Sequence, residues 1–320
     1  MARVILVTGA AGFAGSHLLD LLAREPADSD GLVGWHRPGG RPPHSVGSSP
    51  GSPARWEAVD LLDRAGVIAA IAQLQPRIVY HCAGAAHVGR AWDHTEATFA
   101  ANVRGTHHLL EALNRTGADA RVLIPSSALV YRPADEALTE NHPLVPAGPY
   151  GLSKLAQELV GGHTAGTAVQ VTIARAFNHF GPGQDPSFST SGFARQIAAI
   201  EAGRQPPEIF VGNLDARRDL TDVGDTVRAY RLIAERGENR RAYNVCSGRA
   251  AAIGEVLEML VARARVPVRV RVDTDRLRPN DVPLLLGDPT RIREELGWTP
   301  VVPIEVTLDA LLNYWRDALR

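Results

Sequence analysis

Val4-Ile5-Leu6-Val7-Thr8-Gly9-Ala10-Ala11-Gly12-Phe13-Ala14-Gly15 stands near the start of a 320-residue chain, and its reading decides the fold. The apolar run Val4 to Val7 predicts a buried strand. The three glycines after it supply a tight turn, a close backbone approach to a pyrophosphate and close packing of a helix that begins near Phe13. Such a helix points its first N–H groups at the phosphates. Working outward, strand-like runs at Leu32 to Trp35, Ile78 to His81, Val122 to Pro125 and Val169 to Ile173 alternate with helical runs. The helical runs are Phe13 to Arg24, Arg64 to Leu74, Thr95 to Arg115 and Tyr150 to Gly161. This order predicts an α/β chain with a Rossmann-type doubly wound parallel sheet, which binds ligands at the carboxyl ends of its strands.

Beyond Asn178 the pattern loosens, with Gly181-Pro182-Gly183 and Pro206-Pro207, then an apolar helix Ala252 to Ala264 and a strand near Val266 to Val272. The expected organisation is a dinucleotide-binding domain over residues 1–177 and a smaller α/β substrate lobe over 178–320, with elements free to cross between them. Pro38 to Pro53, rich in Pro, Gly and Ser, reads as a surface loop beside the adenosine end.

Composition narrows the partner. A formal net charge of -1 gives no broad field that would gather nucleic acid or an anionic membrane, so a small molecule is expected. Cys82 and Cys246 are too few for a disulfide framework or a structural zinc site, and a reducing, cytoplasmic setting is expected. Neither a leader nor a membrane span is expected, because the first residues enter a strand at once and no apolar stretch is long enough to span a bilayer. His107 and His108 lack metal-site company, so no metal is expected. Arg263, Arg265, Arg269 and Arg271 form a basic run in which Val268, Val270 and Val272 alternate, which predicts a half-buried strand with a solvated face.

Two readings give the chemistry. An acidic residue about 20 positions past the glycines holds the adenosine ribose in NAD enzymes, whereas Arg accommodates a 2′-phosphate. Gly34-Trp35-His36-Arg37 occupies that place, no acidic residue lies between Gly31 and Trp56, and Arg37 therefore points to NADP (NADPH) rather than NAD. Asp60 would contact adenine or cap the next helix. Tyr150 and Lys154, spaced i, i+4, share a helix face. A nearby ammonium is expected to bring the phenol into the working range, and Ser127 at a strand end would align a substrate oxygen.

These residues, with His81-Cys82-Ala83-Gly84 and Ser127-Ala-Leu-Val-Tyr131, resemble the extended short-chain dehydrogenase/reductase family of nucleotide-sugar enzymes along nearly the whole chain. Within it the likeness is greatest to the branch of GDP-mannose 4,6-dehydratases and GDP-4-keto-6-deoxy-D-mannose reductases. Four segments carry that match: Asn178-His-Phe-Gly-Pro-Gly-Gln184, Val211-Gly-Asn-Leu-Asp-Ala-Arg-Arg-Asp219, Arg278-Pro-Asn-Asp281, and Leu286-Gly-Asp-Pro-Thr290 with Leu296-Gly-Trp298. The resemblance implies a cofactor site of Thr8, Gly9, Gly12, Phe13, Ala14, Gly15, Arg37, Asp60, Leu61, Ala83, Gly84 and Lys154, with Ser127, Tyr150 and Lys154 catalytic. It implies a substrate site in which Asn178, Arg218 and Arg278 hold a diphosphate, Asn213 lies near guanine, Asp281 meets the ribose, and His87 and Ser127 face the sugar. Each has a plainer alternative: turn residues for Asn178 and Asn213, a surface ion pair for Arg218 and Asp219, a strand-end charge for Arg278.

The family's dehydratases place a Glu just after the triad hydroxyl, where this chain has Ala128 and Leu129, neither able to move a proton. The expectation is therefore an oxidoreductase that reduces C4 of a GDP-linked 4-keto-6-deoxy sugar. A 4-epimerase or 4,6-dehydratase with retained cofactor is the alternative, and an NADP sensor without turnover is the remote one. Apolar residues on more than one face of the helices Thr95 to Arg115 and Tyr150 to Gly161 suggest a homodimer.

Overall fold

The computed structural model describes residues 4–24, 31–40, 54–274 and 282–320. Strand β1 (Val4–Thr8) lies mid-sheet between β2 (Gly31–His36) and β4 (Ile78–His81). With β3 (Arg55–Ala58), β5 (Ala120–Ser127), β6 (Val169–Ala176) and β10 (Ala242–Val245) they make a seven-stranded sheet in the order β10-β6-β5-β4-β1-β2-β3, every pairing parallel. The order reverses beside β1, where such sheets open a crevice for a dinucleotide.

Side chains alternate across the sheet as a pleat requires. Ile5 and Val7 pack with α1 (Phe13–Arg24) and α8 (Val223–Arg236), while Leu6 packs on the opposite face with α2 (Arg64–Leu74) and α5 (Gly105–Arg115). Asp63 caps α2, accepting from Gly66 N at 3.1 Å. Asp60, a candidate cap, instead accepts from Leu62 N at 2.9 Å in the turn before it. The helical run Thr95 to Arg115 is α4 (Thr95–Phe99) and α5 joined by a π-turn over Ala100–Arg104, preceded by the short α3 (Arg90–Asp93). Helix α6 (Pro149–Thr164) starts with Pro at its first turn, where a missing N–H costs nothing.

Past residue 177 the chain builds β7 (Asn178–Phe180), α7 (Ser189–Glu201), β8 (Glu208–Val211) and β9 (Arg217–Asp222). It then returns to the large sheet as α8 and β10, so elements do cross between the lobes. It continues as β11 (Ala250–Ala252), α9 (Ile253–Val261), β12 (Arg269–Val272), β13 (Leu284–Leu285), α10 (Thr290–Leu296) and α11 (Ile304–Ala318). Here β9 pairs with β7, β11 and β13, and a separate core joins α7, α9 and α11. Helix α9 is shorter than the run Ala252 to Ala264 suggested.

The strand in the basic run exists, paired parallel to β8. It is not the half-buried strand that was expected: all four residues of β12 are exposed, Val270 at 45% and Val272 at 66%, because no layer of described residues packs over them. Of the Pro38 to Pro53 loop, positions 41–53 lie outside the described residues, as do Arg278 and Asp281. No helix among the described residues is long and apolar enough to cross a membrane.

Candidate active site

Gly9 sits at φ +65°, and a Cβ there would meet the Ala83 backbone at 2.6 Å, so the turn after β1 is pressed against the loop after β4. A Cβ on Gly15 would come within 2.2 Å of the Gly9 carbonyl oxygen, which lets α1 start directly on the turn. Gly12 is exposed at the head of α1, its N–H bonded to Gly9 O at 2.9 Å. Ala10 N is anchored to Trp35 O on β2 at 3.0 Å, and Ala83 N donates to Thr8 Oγ1 at 3.3 Å. The Phe13 ring stacks on His179 with centroids 5.8 Å apart, which joins the glycine turn to β7. Ala14 and Gly15 follow it into α1. Gly84 lies beside Asn102, whose Oδ1 accepts from Ala85 N at 2.8 Å and whose Nδ2 donates to Ser153 Oγ at 2.9 Å.

At the adenosine end Arg37 follows β2 and is exposed. The nearest carboxylate across the β2–β3 pair, Glu57, is already committed to Trp35 Nε1 at 2.9 Å and Arg55 at 2.8 Å. Leu61 is half-buried, and its carbonyl is bonded to His108 Nδ1 at 2.9 Å.

The end of β5 and the first turns of α6 bring the acid-base residues together. Ser127 stands beside the Tyr150 phenol, and Ser127 Oγ accepts from Leu129 N at 3.2 Å. Lys154 is buried on the same face, but its ammonium does not act on the phenol as the spacing suggested. It donates to Pro125 O at 2.7 Å and to Gln157 Oε1 at 2.8 Å. Burial pushes Tyr150 up to about 12, opposed by the Ser127 hydrogen bond, and pulls Lys154 down to about 8, opposed by Cys82 and Glu158. Cys82 is itself pushed up to about 12 by burial, so it is a neutral thiol beside the ammonium. At neutral pH the pair is a protonated phenol and a charged lysine, which is the state of a proton donor rather than of a base.

The residues fit a nicotinamide dinucleotide. Gly12, exposed and without a side chain, lets a ligand come close to the head of α1, and Lys154 gives two of its three N–H groups to the protein, leaving one for a ligand.

On the other side of the cleft, His87 Nε2 is hydrogen-bonded to Ser187 Oγ and its ring lies 5.1 Å from that of Phe188, so the loop after β4 touches the segment before α7. Asn178 is exposed at the start of β7, two residues past the end of β6. Asn213 Oδ1 accepts from Asp215 N at 3.0 Å, the geometry of a turn. Arg218 donates to Val282 O at 2.7 Å, next to the stretch that holds Arg278 and Asp281. Asp219 is not half of a surface ion pair: it is fully buried and accepts from Ser247 N, Ser247 Oγ, Gly248 N and Gly287 N. Gln157, Thr106 and Asn102 were not among the expected site residues. Their signal was there in part, since Gln157 lies i+3 from Lys154 on the same helical face.

Extended short-chain dehydrogenase/reductases that use a nicotinamide dinucleotide are built in this way, and comparison with known proteins places the chain in that class. The model of the GDP-mannose 4,6-dehydratase family matches residues 6–311, and the chain belongs to that family. It is 35% identical over 326 residues to the GDP-6-deoxy-D-mannose reductase of Pseudomonas aeruginosa, covering 100% of this chain and 99% of that protein. Identity to the UDP-glucose 4-epimerase of Bacillus subtilis is 30%, over 92% of this chain and 91% of that one. The solved structure of RMD from Pseudomonas aeruginosa complexed with NADPH matches with a TM-score of 0.84 at 31% identity, covering 99% of this chain and 100% of that one.

Proposed function

We propose that the protein reduces the C4 keto group of a GDP-linked 4-keto-6-deoxy hexose, GDP-4-keto-6-deoxy-D-mannose, to GDP-D-rhamnose or its C4 epimer. The observation that carries this reading is the strand end itself. Ser127 and Tyr150 bring their hydroxyls to one place, and the two positions after Ser127, where elimination of water would need a proton-moving side chain, are the buried Ala128 and the apolar Leu129. The full-length similarity to a GDP-6-deoxy-D-mannose reductase supports it.

A nicotinamide dinucleotide, when bound, supplies the hydride. The chain's own residues do the rest. Ser127 aligns the carbonyl oxygen, and Tyr150, held protonated by its burial, gives its proton to the alkoxide that forms there, a downhill transfer because a phenol is a stronger acid than the alcohol produced. Lys154 would hold the ribose of the bound dinucleotide and bring a positive charge to it. Thr8, Gly9, Gly12 to Gly15, Asp60, Leu61, Ala83 and Gly84 would line the dinucleotide. The lobe over 178–320 would carry the sugar nucleotide on Asn178, Asn213 and Arg218, with Arg278 and Asp281 from the adjoining stretch.

The test follows loss of reduced-nicotinamide absorbance with GDP-, dTDP- and UDP-4-keto-6-deoxy sugars. Oxidation of NADPH is expected with the GDP sugar; silence across the panel with cofactor firmly retained would favour the epimerase or sensor reading.

The preference for NADPH rests on Arg37, exposed just past the end of β2. Arg37→Ala is expected to raise the KM for NADPH about ten-fold, the worth of a charge-assisted hydrogen bond, and to leave that for NADH unchanged. Leu152 and Leu159, seven residues apart on α6, are 50% and 66% exposed, and Trp92 on α3 is 56% exposed. This apolar face supports a homodimer, which light scattering would show as twice the chain mass; a monomer would refute it. Cys82 and Cys246 are free thiols, which suits a reducing cytoplasm.

A further inference from the structure

A single chain of hydrogen bonds runs beneath the site, from the glycine turn to the ammonium. Thr8 Oγ1 meets His81 Nδ1 at 2.9 Å, His81 Nε2 meets Thr106 Oγ1 at 2.8 Å, Gln157 Nε2 donates to Thr106 Oγ1 at 2.7 Å, and Gln157 Oε1 accepts from Lys154 at 2.8 Å. Thr8, His81, Thr106 and Gln157 are all buried. Each proton can be assigned by counting donors and acceptors. The one hydroxyl proton of Thr106 goes to Asn102 O at 2.6 Å, so its oxygen must accept from both Gln157 and His81. His81 therefore carries its proton on Nε2, and its Nδ1 accepts from the Thr8 hydroxyl, whose oxygen in turn accepts from Ala83 N. Burial holds His81 down to about 3, so the ring is neutral and has no second proton to give. The Gln157 amide has one allowed orientation. Turned over, it would set its NH₂ group against the ammonium and its oxygen against a Thr106 oxygen with no proton to offer.

We infer that Gln157 is a positioning residue for Lys154: its amide, locked by Thr106 and His81 to the glycine turn, presents a fixed acceptor that keeps the buried ammonium charged and aimed at the cofactor side of the site. Desolvation drives this lysine toward its neutral form and the nearby Glu158 carboxylate opposes that; the two carbonyl oxygens that accept from it, of Pro125 and Gln157, also favour the charged form. The titratable groups around it are His81 at the end of β4, Cys82 just after it, and Tyr150 and Glu158 from α6; Tyr230 on α8 faces Cys82 and Tyr150. At neutral pH His81 and Cys82 are uncharged and cannot substitute for the Gln157 oxygen. The role deepens the reductase reading and rests on it only for the turnover measurement.

The experiment compares wild type, Gln157→Leu and Gln157→Glu. For each, kcat/KM with the GDP-4-keto sugar is recorded against pH, and NADPH affinity is recorded against pH by its fluorescence, which needs no sugar. In Gln157→Leu the alkaline limb of both profiles is expected about one pH unit lower, roughly a ten-fold loss above pH 8 with little change at pH 6. Gln157→Glu, which puts a negative charge on the ammonium, is expected to move the limb upward. Opposite displacements cannot come from packing alone. Profiles that coincide with wild type, or a uniform drop at every pH with the limb in place, would overturn the inference. Should Gln157→Leu fail to fold, the upward shift in Gln157→Glu decides. Should wild type reduce no sugar of the panel, the reductase reading fails while the NADPH series still tests Gln157.

Discussion

Tyr150→Phe is expected to lower kcat by about 10²–10⁴-fold, the range that loss of a positioned acid-base group produces, or about 3–5 kcal/mol of barrier. The ring remains and only the hydroxyl goes, so folding and NADPH affinity should stay within about two-fold of wild type, as read by fluorescence titration. Ser127 keeps the Leu129 N–H as its donor. The structure also sets the pH dependence of the wild-type reaction. With the phenol pushed up to about 12 by burial, the donor is protonated throughout the neutral range and contributes no limb there. Lys154, pulled down to about 8, loses its charge first as pH rises, so activity should hold from about pH 6 and fall above pH 8. A Tyr150→Phe enzyme that turned over at the wild-type rate would mean that the proton comes from Ser127 or water, and the assignment of Tyr150 would fall.

The parts of this site that sequence reading reached are those set by local rules. The run Val4 to Val7 followed by three glycines has one economical structure, and β1, its turn and α1 adopt it. Tyr150 and Lys154 share a face because helical spacing puts them there, and Ser127 is at a strand end because β5 stops there. What the spacing did not show is where the lysine points. Its partner Pro125 O lies 29 residues upstream, and the burial that moves both groups depends on how β4, β5 and α5 close around them. The return of α8 and β10 to the large sheet was equally hidden, since no turn chemistry distinguishes a strand that joins one sheet from a strand that joins another. Alternation in β12 suggests half-burial, yet alternation only sorts side chains by face; a second layer is needed to bury one of them, and none among the described residues covers β12.

The largest expected effect on stability lies just behind the site. Arg175 on β6 and Glu158 on α6 are 6% and 8% exposed, with Nη2 to Oε2 at 2.8 Å and Nε at 3.1 and 3.2 Å from the two carboxylate oxygens. Arg175 also donates to the Tyr131 hydroxyl at 3.0 Å and to Glu140 O at 3.2 Å, and Ser126, next to Ser127, donates to Glu158. Arg175→Met fills much of the same volume but leaves Glu158 buried with Ser126 as its remaining described partner. Breaking a buried pair from one side costs about 3–5 kcal/mol because a charge is left uncompensated, and in a chain of this size that is a fall in Tm of about 10 °C. The sign with pH follows. A buried carboxylate without its cation is relieved by taking up a proton, so the native state of the variant binds more protons than the unfolded chain, and its deficit should shrink as pH drops from 7 to 5. Replacing both partners, Arg175→Met with Glu158→Leu, removes the orphan charge and should recover most of the loss at pH 7. Equal melting temperatures for the single and double variants would show that the cost comes from the Tyr131 and Glu140 contacts, which both variants lack, and not from the ion pair.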